Sequence, residues 1–216
     1  MMRRTPLSNT VRTLDVPTRE LVRLAMVIAT GAEHEIGDAM ARAIGTGLNP
    51  VWIEELLLQS YLFVGFPRAL NATREWRRVS NRPAPSADED ATYENLETFR
   101  ERGTEACQAV YGQAYKKLRE KMRELHPALD EWMLVEGYGK VLSRPGLHLW
   151  RRELCIIAVC GVHDQDRQLL AHLKGALNVG ASIADVEEVV SMVSEHVSNE
   201  RARRMRDMWA RVEAKQ

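Results

Sequence analysis

Cysteine is scarce in this 216-residue chain, and the three present, Cys107, Cys155 and Cys160, are odd in number and irregular in spacing. That pattern excludes a disulfide framework. Cys155 and Cys160 stand five apart in an apolar stretch, which is neither a C-x-x-C redox pair nor a metal-ligand spacing, so buried free thiols are expected. Long apolar runs are missing too. The most continuous, Leu154 to Val162, falls far short of the roughly 20 residues a membrane-spanning helix needs. After Met1-Met2-Arg3-Arg4 the stretch from Thr5 to Arg12 is polar, so no apolar signal-peptide region follows. Cytoplasmic residence without a membrane partner is the expectation.

Net charge is also absent. Thirty Lys+Arg balance thirty Asp+Glu, so no global field recruits nucleic acid or an anionic bilayer. A local basic cluster, Arg201, Arg203, Arg204, Arg206 and Arg211, shares its predicted helix with Met205, Met208 and Trp209. Glu200, Asp207 and Glu213 interrupt it, so a solvated helix with an apolar packing stripe is a better reading than a nucleic-acid face. There is no HExxH, no paired Cys/His cluster and no glycine-rich phosphate loop. His34, His126, His148 and His196 have no companions at metal-ligand spacing, and His163 suits the C-terminal end of a helix. No metal site is expected.

What is present is a composition of 45% hydrophobic and 28% charged residues, that of a soluble globular chain. Glycine and proline cluster at a few breaks, and no segment alternates convincingly with period two. The spacing predicts helices over about 17–30, 33–45, 50–71, 91–110, 113–125, 127–143, 150–162, 165–178 and 183–213. Asp15 and Thr18 are cap candidates for the first, with Pro17 suited to its first turn. The fold class is all-α. Asn81 to Asp90, NRPAPSADED, is rich in Pro, small and acidic residues and reads as a linker.

The chain also repeats itself. A shift of 133 residues aligns Arg19-Glu20-Leu21 with Arg152-Glu153-Leu154, Gly47 with Gly180, Glu54-Glu55 with Glu187-Glu188, and Arg68-Ala69 with Arg201-Ala202. From Thr18 to Asn71 there are eleven identities in 54 gapless pairs, where chance gives roughly three. Each copy is predicted as helix, helix, glycine turn, long helix. The division is 13–80 for the first copy, 81–90 for the linker and 91–216 for the C-terminal domain that contains the second.

Several motifs carry a family resemblance. They are Arg102-Gly103, Val110-Tyr111-Gly112, Tyr138-Gly139-Lys140-Val141, SRPGL at Ser143 to Leu147, and above all HLKGALNVGAS from His172, followed by Asp185-Val186-Glu187-Glu188-Val189. The chain resembles the carboxymuconolactone decarboxylase family, part of the wider AhpD-like group. The first copy adds TRELVRLA and the segment from Val64 to Ala72. The resemblance implies a tandem duplication of a helical unit. It also implies rings of six units, hence a homo-oligomer that is a trimer of two-unit chains. Peroxidase relatives use a thiol pair in Glu…Cys-x-x-Cys-x-x-x-His; decarboxylase relatives work without cofactor. Here Glu153 and His172 fall at the acidic and histidine positions, while Gln165 and Gln168 occupy the thiol positions. A peroxidatic cycle needs a nucleophilic thiolate and a resolving partner. The first copy keeps Glu20 but has Ala39 opposite His172, so it is chemically degenerate.

Glu153 lies beside an apolar helix, and His172 shares a buried stripe with Leu169 and Leu173. An acid and an imidazole brought together in a dry place suit proton transfer, although a structural ion pair is the plain alternative. The resemblance implies a cofactor-independent lyase acting on a small carboxylated lactone, with His172 as proton donor and Glu153 orienting it. Arg144 is the candidate clamp for a substrate carboxylate, against a loop-anchoring role. Tyr138 and Glu136 are candidate pocket residues, against helix packing. Two other readings stand: a redox protein using Cys155 and Cys160, and a non-catalytic oligomeric binding protein. Trp52, Leu56, Leu62, Phe63 and Phe66 are expected interface material.

Overall fold

The computed structural model describes residues 14–215; the polar N-terminal stretch up to Arg12 lies outside them. Local chemistry sets the helix starts. In α1 (Val16–Thr30) the Asp15 carboxylate accepts from the Thr18 backbone N–H at 2.7 Å, with Pro17 in the first turn. In α3 (Pro50–Val64) the Asn49 side chain accepts from the Val51 N–H at 2.9 Å. Each such cap contributes about 1 kcal/mol. Between them runs α2 (Glu33–Gly45), ended by a turn in which Gly47 has φ +75°.

The predicted long helix over 50–71 is two helices. Gly65, with φ +82°, ends α3, and α4 (Phe66–Ser80) starts at once with Pro67 in its first turn. The second copy makes the same correction to 183–213. It consists of α8 (Leu149–Val162), α9 (Asp166–Asn178), α10 (Ile183–Ser194) and α11 (Asn199–Glu213). Ser182 and Asp185 form a reciprocal capping box at the start of α10, and Ser198 accepts from the Arg201 N–H to start α11. The first residues of α2, α3 and α4 have their equivalents 133 positions on, at the first residues of α9, α10 and α11. The register runs beyond Asn71: Trp76 corresponds to Trp209, and both are buried.

The copies face each other through α1 and α8, and their ion pairs are exchanged reciprocally. Arg19 Nε donates to Glu188 at 2.6 Å, while Arg152 Nη2 donates to Glu55 at 2.7 Å. Each arginine also reaches the carbonyl five residues back, at Leu14 and Leu147. Arg151 Nε donates to Thr18, its own counterpart, at 2.9 Å. Equivalent residues that touch mark a local two-fold axis. Neither copy could bury its apolar faces alone, and Leu21, Leu24, Leu154 and Ile157 are fully covered in the joint core.

Between the copies lie α5 (Leu96–Tyr111), α6 (Tyr115–Leu125), α7 (Pro127–Trp132) and a π-helix, Met133–Leu142. A ten-residue π-helix is rare, and such turns gather at functional sites. It packs so closely on α5 that a side chain at Gly139 would collide with the Phe99 carbonyl. The 81–90 segment is pinned rather than free: Asp90 pairs with Arg102, and both Asp88 and Asp90 pair with Arg144. No strand occurs among the described residues, and no helix there is long and apolar enough to cross a membrane.

Candidate active site

Glu153 sits one turn into α8, a helix apolar on nearly every side, and its side chain is fully buried. His172 lies at the middle of α9, on the stripe of Leu169, Leu173 and Ala176. The structure brings the two together: His172 Nδ1 is 2.7 Å from Glu153 Oε2. The packing allows this because α9 carries Gly175 one turn after His172, where a Cβ would lie 2.8 Å from that same oxygen. A proton carried on Nδ1 is donated to this carboxylate, which leaves Nε2 outside the contact. Phe63 and Tyr111 flank the imidazole edge-on, with ring centroids 6.0 Å and 6.3 Å away. Glu153 Oε1 is buried and has no partner among the described residues.

His172 lines a cavity of about 660 Å³, within the range of small-molecule sites. Tyr138 and Glu136 line it as well, from the π-helix. Tyr138 is turned inward and meets Tyr111 edge-to-face at 6.2 Å. Burial pushes both phenols upward, so each stays a neutral hydroxyl able to donate. Glu136 accepts from the Tyr93 hydroxyl at 2.6 Å. The remaining wall is aromatic and aliphatic, including Tyr61, Leu62 and Phe63 at the end of α3 and Trp132 at the end of α7. The first copy therefore contributes to the cavity within one chain. Leu62 and Phe63, expected at a subunit interface, line this cavity, and Leu56 is core. Trp52 is half-buried beneath the Arg151 guanidinium, while Phe66 is exposed.

Arg144 is not part of this site. Its Nε lies 3.0 Å from Glu55, and its other nitrogens reach Asp88 at 2.8 Å and Asp90 at 3.3 Å. Burial alone would lower its pKa, but Asp88 and Glu55 outweigh that, hold it above the ordinary value and occupy its donors. The expected substrate clamp is corrected to a loop anchor. No Lys or Arg lines the His172 cavity.

The three thiols are buried and unpaired. Desolvation pushes each up to about 12, so at neutral pH none supplies the thiolate that a peroxidatic cycle needs. Two of the five arginines of the α11 cluster are paired: Arg201 is buried against Asp164 and Asp166, and Arg204 pairs with Asp164 and Glu200. His163, at the end of α8, meets the Ala29 carbonyl near the end of α1 at 3.1 Å. Among the described residues, no three His, Cys, Asp or Glu side chains gather as a metal site.

The sequence profile of the carboxymuconolactone decarboxylase family matches residues 7–78 and 127–210. The chain belongs to that family. The two matches fall on the two copies and leave α5 and α6 between them. "Peroxisomal protein 2" of Schizosaccharomyces pombe is 34% identical over 142 residues, covering 64% of this chain and 65% of the relative. The protein of the same name from Saccharomyces cerevisiae is 24% identical over 160 residues, covering 62% and 56%. The matched regions thus span less than two thirds of these relatives.

Sequence reasoning placed His172, Glu153, Tyr138 and Glu136 near one another but passed over Tyr111 and Phe63. The Val110-Tyr111-Gly112 motif was a usable signal for Tyr111. Phe63 had none, because its place depends on how the first copy folds onto the second.

Proposed function

We propose that the protein is a cofactor-independent acid–base enzyme of the lyase type, acting on a small lactone-like or enolisable carboxylated compound in the His172 cavity. One observation carries the proposal: an imidazole, held by a buried carboxylate, lines a largely apolar hollow that holds no Lys or Arg. In a carboxymuconolactone the departing carboxylate is conjugated through a carbon–carbon double bond to the lactone carbonyl. The bond to that carboxylate breaks, carbon dioxide leaves, and the electron pair moves through the double bond onto the lactone oxygen. The Tyr111 and Tyr138 hydroxyls are the nearby neutral donors for this oxyanion. His172 Nε2 returns a proton to carbon, Glu153 holds the imidazolium, and water restores the proton. A wall without Lys or Arg also favours loss of charge, since a carboxylate placed there forfeits its hydration unpaired.

The test is a screen of small lactones and carboxylated carbonyl compounds, followed by proton NMR in deuterium oxide. Wild-type protein is expected to release carbon dioxide or to exchange the carbon-bound proton, and His172→Gln to lose roughly 10²–10⁴-fold of that rate. An unchanged rate in His172→Gln would overturn the assignment.

The assembly proposed is a trimer of two-copy chains, for which Phe66 and Leu70, exposed on α4, supply apolar surface. A monomeric mass by light scattering would exclude it. For location, the relatives' name favours the peroxisome, with the cytoplasm as the alternative. Cell fractionation decides between them.

A further inference from the structure

With Arg144 engaged elsewhere, a substrate's remaining negative charge has no partner in the His172 cavity. A second hollow of about 440 Å³ lies next to it, between α6, α9 and the end of α11. Its floor is apolar, formed by Val110, Leu118, Ala171 and Val212. Its rim is wholly cationic: Lys117 and Lys121 from α6, Arg167 and Lys174 from α9, and Lys215 after α11. No acidic side chain lines it. The ion pairs of the same neighbourhood use other residues, Arg119 with Asp130, Arg201 with Asp164 and Arg204 with Glu200. The five rim cations pair with no described acid. Like charges gathered around one hollow repel one another, and an anion placed among them relieves that repulsion.

The two hollows share a wall. Tyr111 lines both. On α6, Met122 faces the His172 cavity and Lys121 the cationic hollow; on α9, His172 serves the first, and Ala171 and Lys174 the second. An elongated ligand lying across Tyr111 would place one end in each.

We propose that the groove of Lys117, Lys121, Arg167, Lys174 and Lys215 holds the anionic handle, a carboxylate or phosphate, of an elongated amphipathic substrate whose reacting end reaches His172. This rests on the acid–base reading of the His172 cavity and narrows its substrate class. The apolar floor takes the chain that joins the handle to the reacting end. Charge and shape agree on this occupant: a rim without carboxylates selects an anion, and a hollow of this volume admits a small molecule rather than a duplex.

Calorimetry on the full chain at low salt tests it, using hexyl phosphate, hexanoate, hexanol and inorganic phosphate. Hexyl phosphate and hexanoate are expected to bind at least tenfold more tightly than hexanol or inorganic phosphate, and to weaken as salt rises. The pair Lys121→Ser and Lys174→Ser, both at exposed positions, is expected to lower hexyl phosphate affinity at least tenfold. His172→Gln is expected to leave that affinity within twofold. Failure of the groove is thereby separated from failure of the acid–base reading. The imidazole NMR signal missing in His172→Gln identifies His172, and in wild type it is expected to shift when hexyl phosphate binds. Four results would overturn the proposal: unchanged affinity in the double lysine variant, hexanol or inorganic phosphate binding as well as hexyl phosphate, an unmoved His172 signal, or tight binding of duplex DNA or anionic vesicles with none of hexyl phosphate.

Discussion

The two copies of the helical unit start from the same Arg-Glu-Leu triplet and put its glutamate to different uses. In the second copy Glu153 is sealed in the core against His172. In the first, Glu20 meets Arg23 and Arg42, both about half exposed. Residues 133 positions apart account for the difference. Arg23 corresponds to Ile156, Arg42 to Gly175 and Ala39 to His172. Two half-exposed arginines tie one buried carboxylate to the surface, whereas an isoleucine, a glycine and an imidazole turn the other into a dry dyad. Duplication supplied two equivalent positions, and neighbouring side chains gave only one of them an imidazole partner.

The largest expected effect separates the copies by activity. Glu153→Gln is expected to lower turnover by roughly 10²–10⁴-fold, because the imidazolium loses its counter-charge, while Glu20→Gln leaves turnover unchanged. Steady-state rates on any substrate found by screening check both, and equal losses would mean that the copies are chemically equivalent.

The reciprocal ion pairs sharpen the contrast in stability. Arg152 is fully buried and Glu55 nearly so, whereas Arg19 and Glu188 remain about a quarter and a fifth exposed. Removing one partner of a buried pair costs about 3–5 kcal/mol, and Arg152→Met is expected near the lower end because Glu55 keeps Arg144. Arg19→Met is expected to cost about 1 kcal/mol, as surface pairs do. Urea unfolding midpoints measure the difference.

A smaller effect concerns the position beside each glutamate. Gly175→Ala pushes a methyl against the Glu153 carboxylate and Val110, and is expected to cost about 1–3 kcal/mol. Arg42→Ala, its counterpart on the surface of the first copy, is expected to stay within about 0.5 kcal/mol.

The smallest effect at neutral pH involves the thiols. Cys155 and Cys160 correspond to Val22 and Val27 in the first copy. Their folded-state pKa of about 12 lies above the ordinary value of 9.0, so the native state holds its protons more tightly than the unfolded chain. Their contribution is fully present below pH 9 and is lost as pH rises toward about 12. Exchanging both for valine is expected to flatten that alkaline decline, as read from unfolding midpoints between pH 8 and about 11. A decline of equal slope in the variant would show that other groups carry it.

Much of the fold was legible because periodic apolar spacing and capping residues act locally. Asp15, Pro17, Asn49 and Ser182 state where helices begin, and Gly47 and Gly180 where they turn. The predicted long helices failed at Gly65 and Ser198. A single glycine before Phe-Pro, or a serine before an acidic turn, carries too weak a signal against a continuous apolar pattern. The π-helix escaped for a related reason: it differs from an α-helix by one inserted residue, and what it needs is the tight fit of Gly103 and Gly139 between two elements. Arg144 shows the limit most clearly. Its type suited a carboxylate clamp, but whether its donors were free depended on Glu55, Asp88 and Asp90, residues 54 to 89 positions away.

By itself the chain's order of residues determined the all-helical class, the duplication, the family and the identity of the acid and the imidazole, since periodicity and motif spacing are properties of a single strand of text. Only tertiary packing decided that Glu153 and His172 touch while Glu20 meets Arg23 and Arg42, that Tyr111 and Phe63 close around the imidazole, and that Arg144 is spent on Glu55 and the 81–90 segment. Those outcomes depend on contacts between helices far apart in the chain, where a difference of one side chain changes which partner wins.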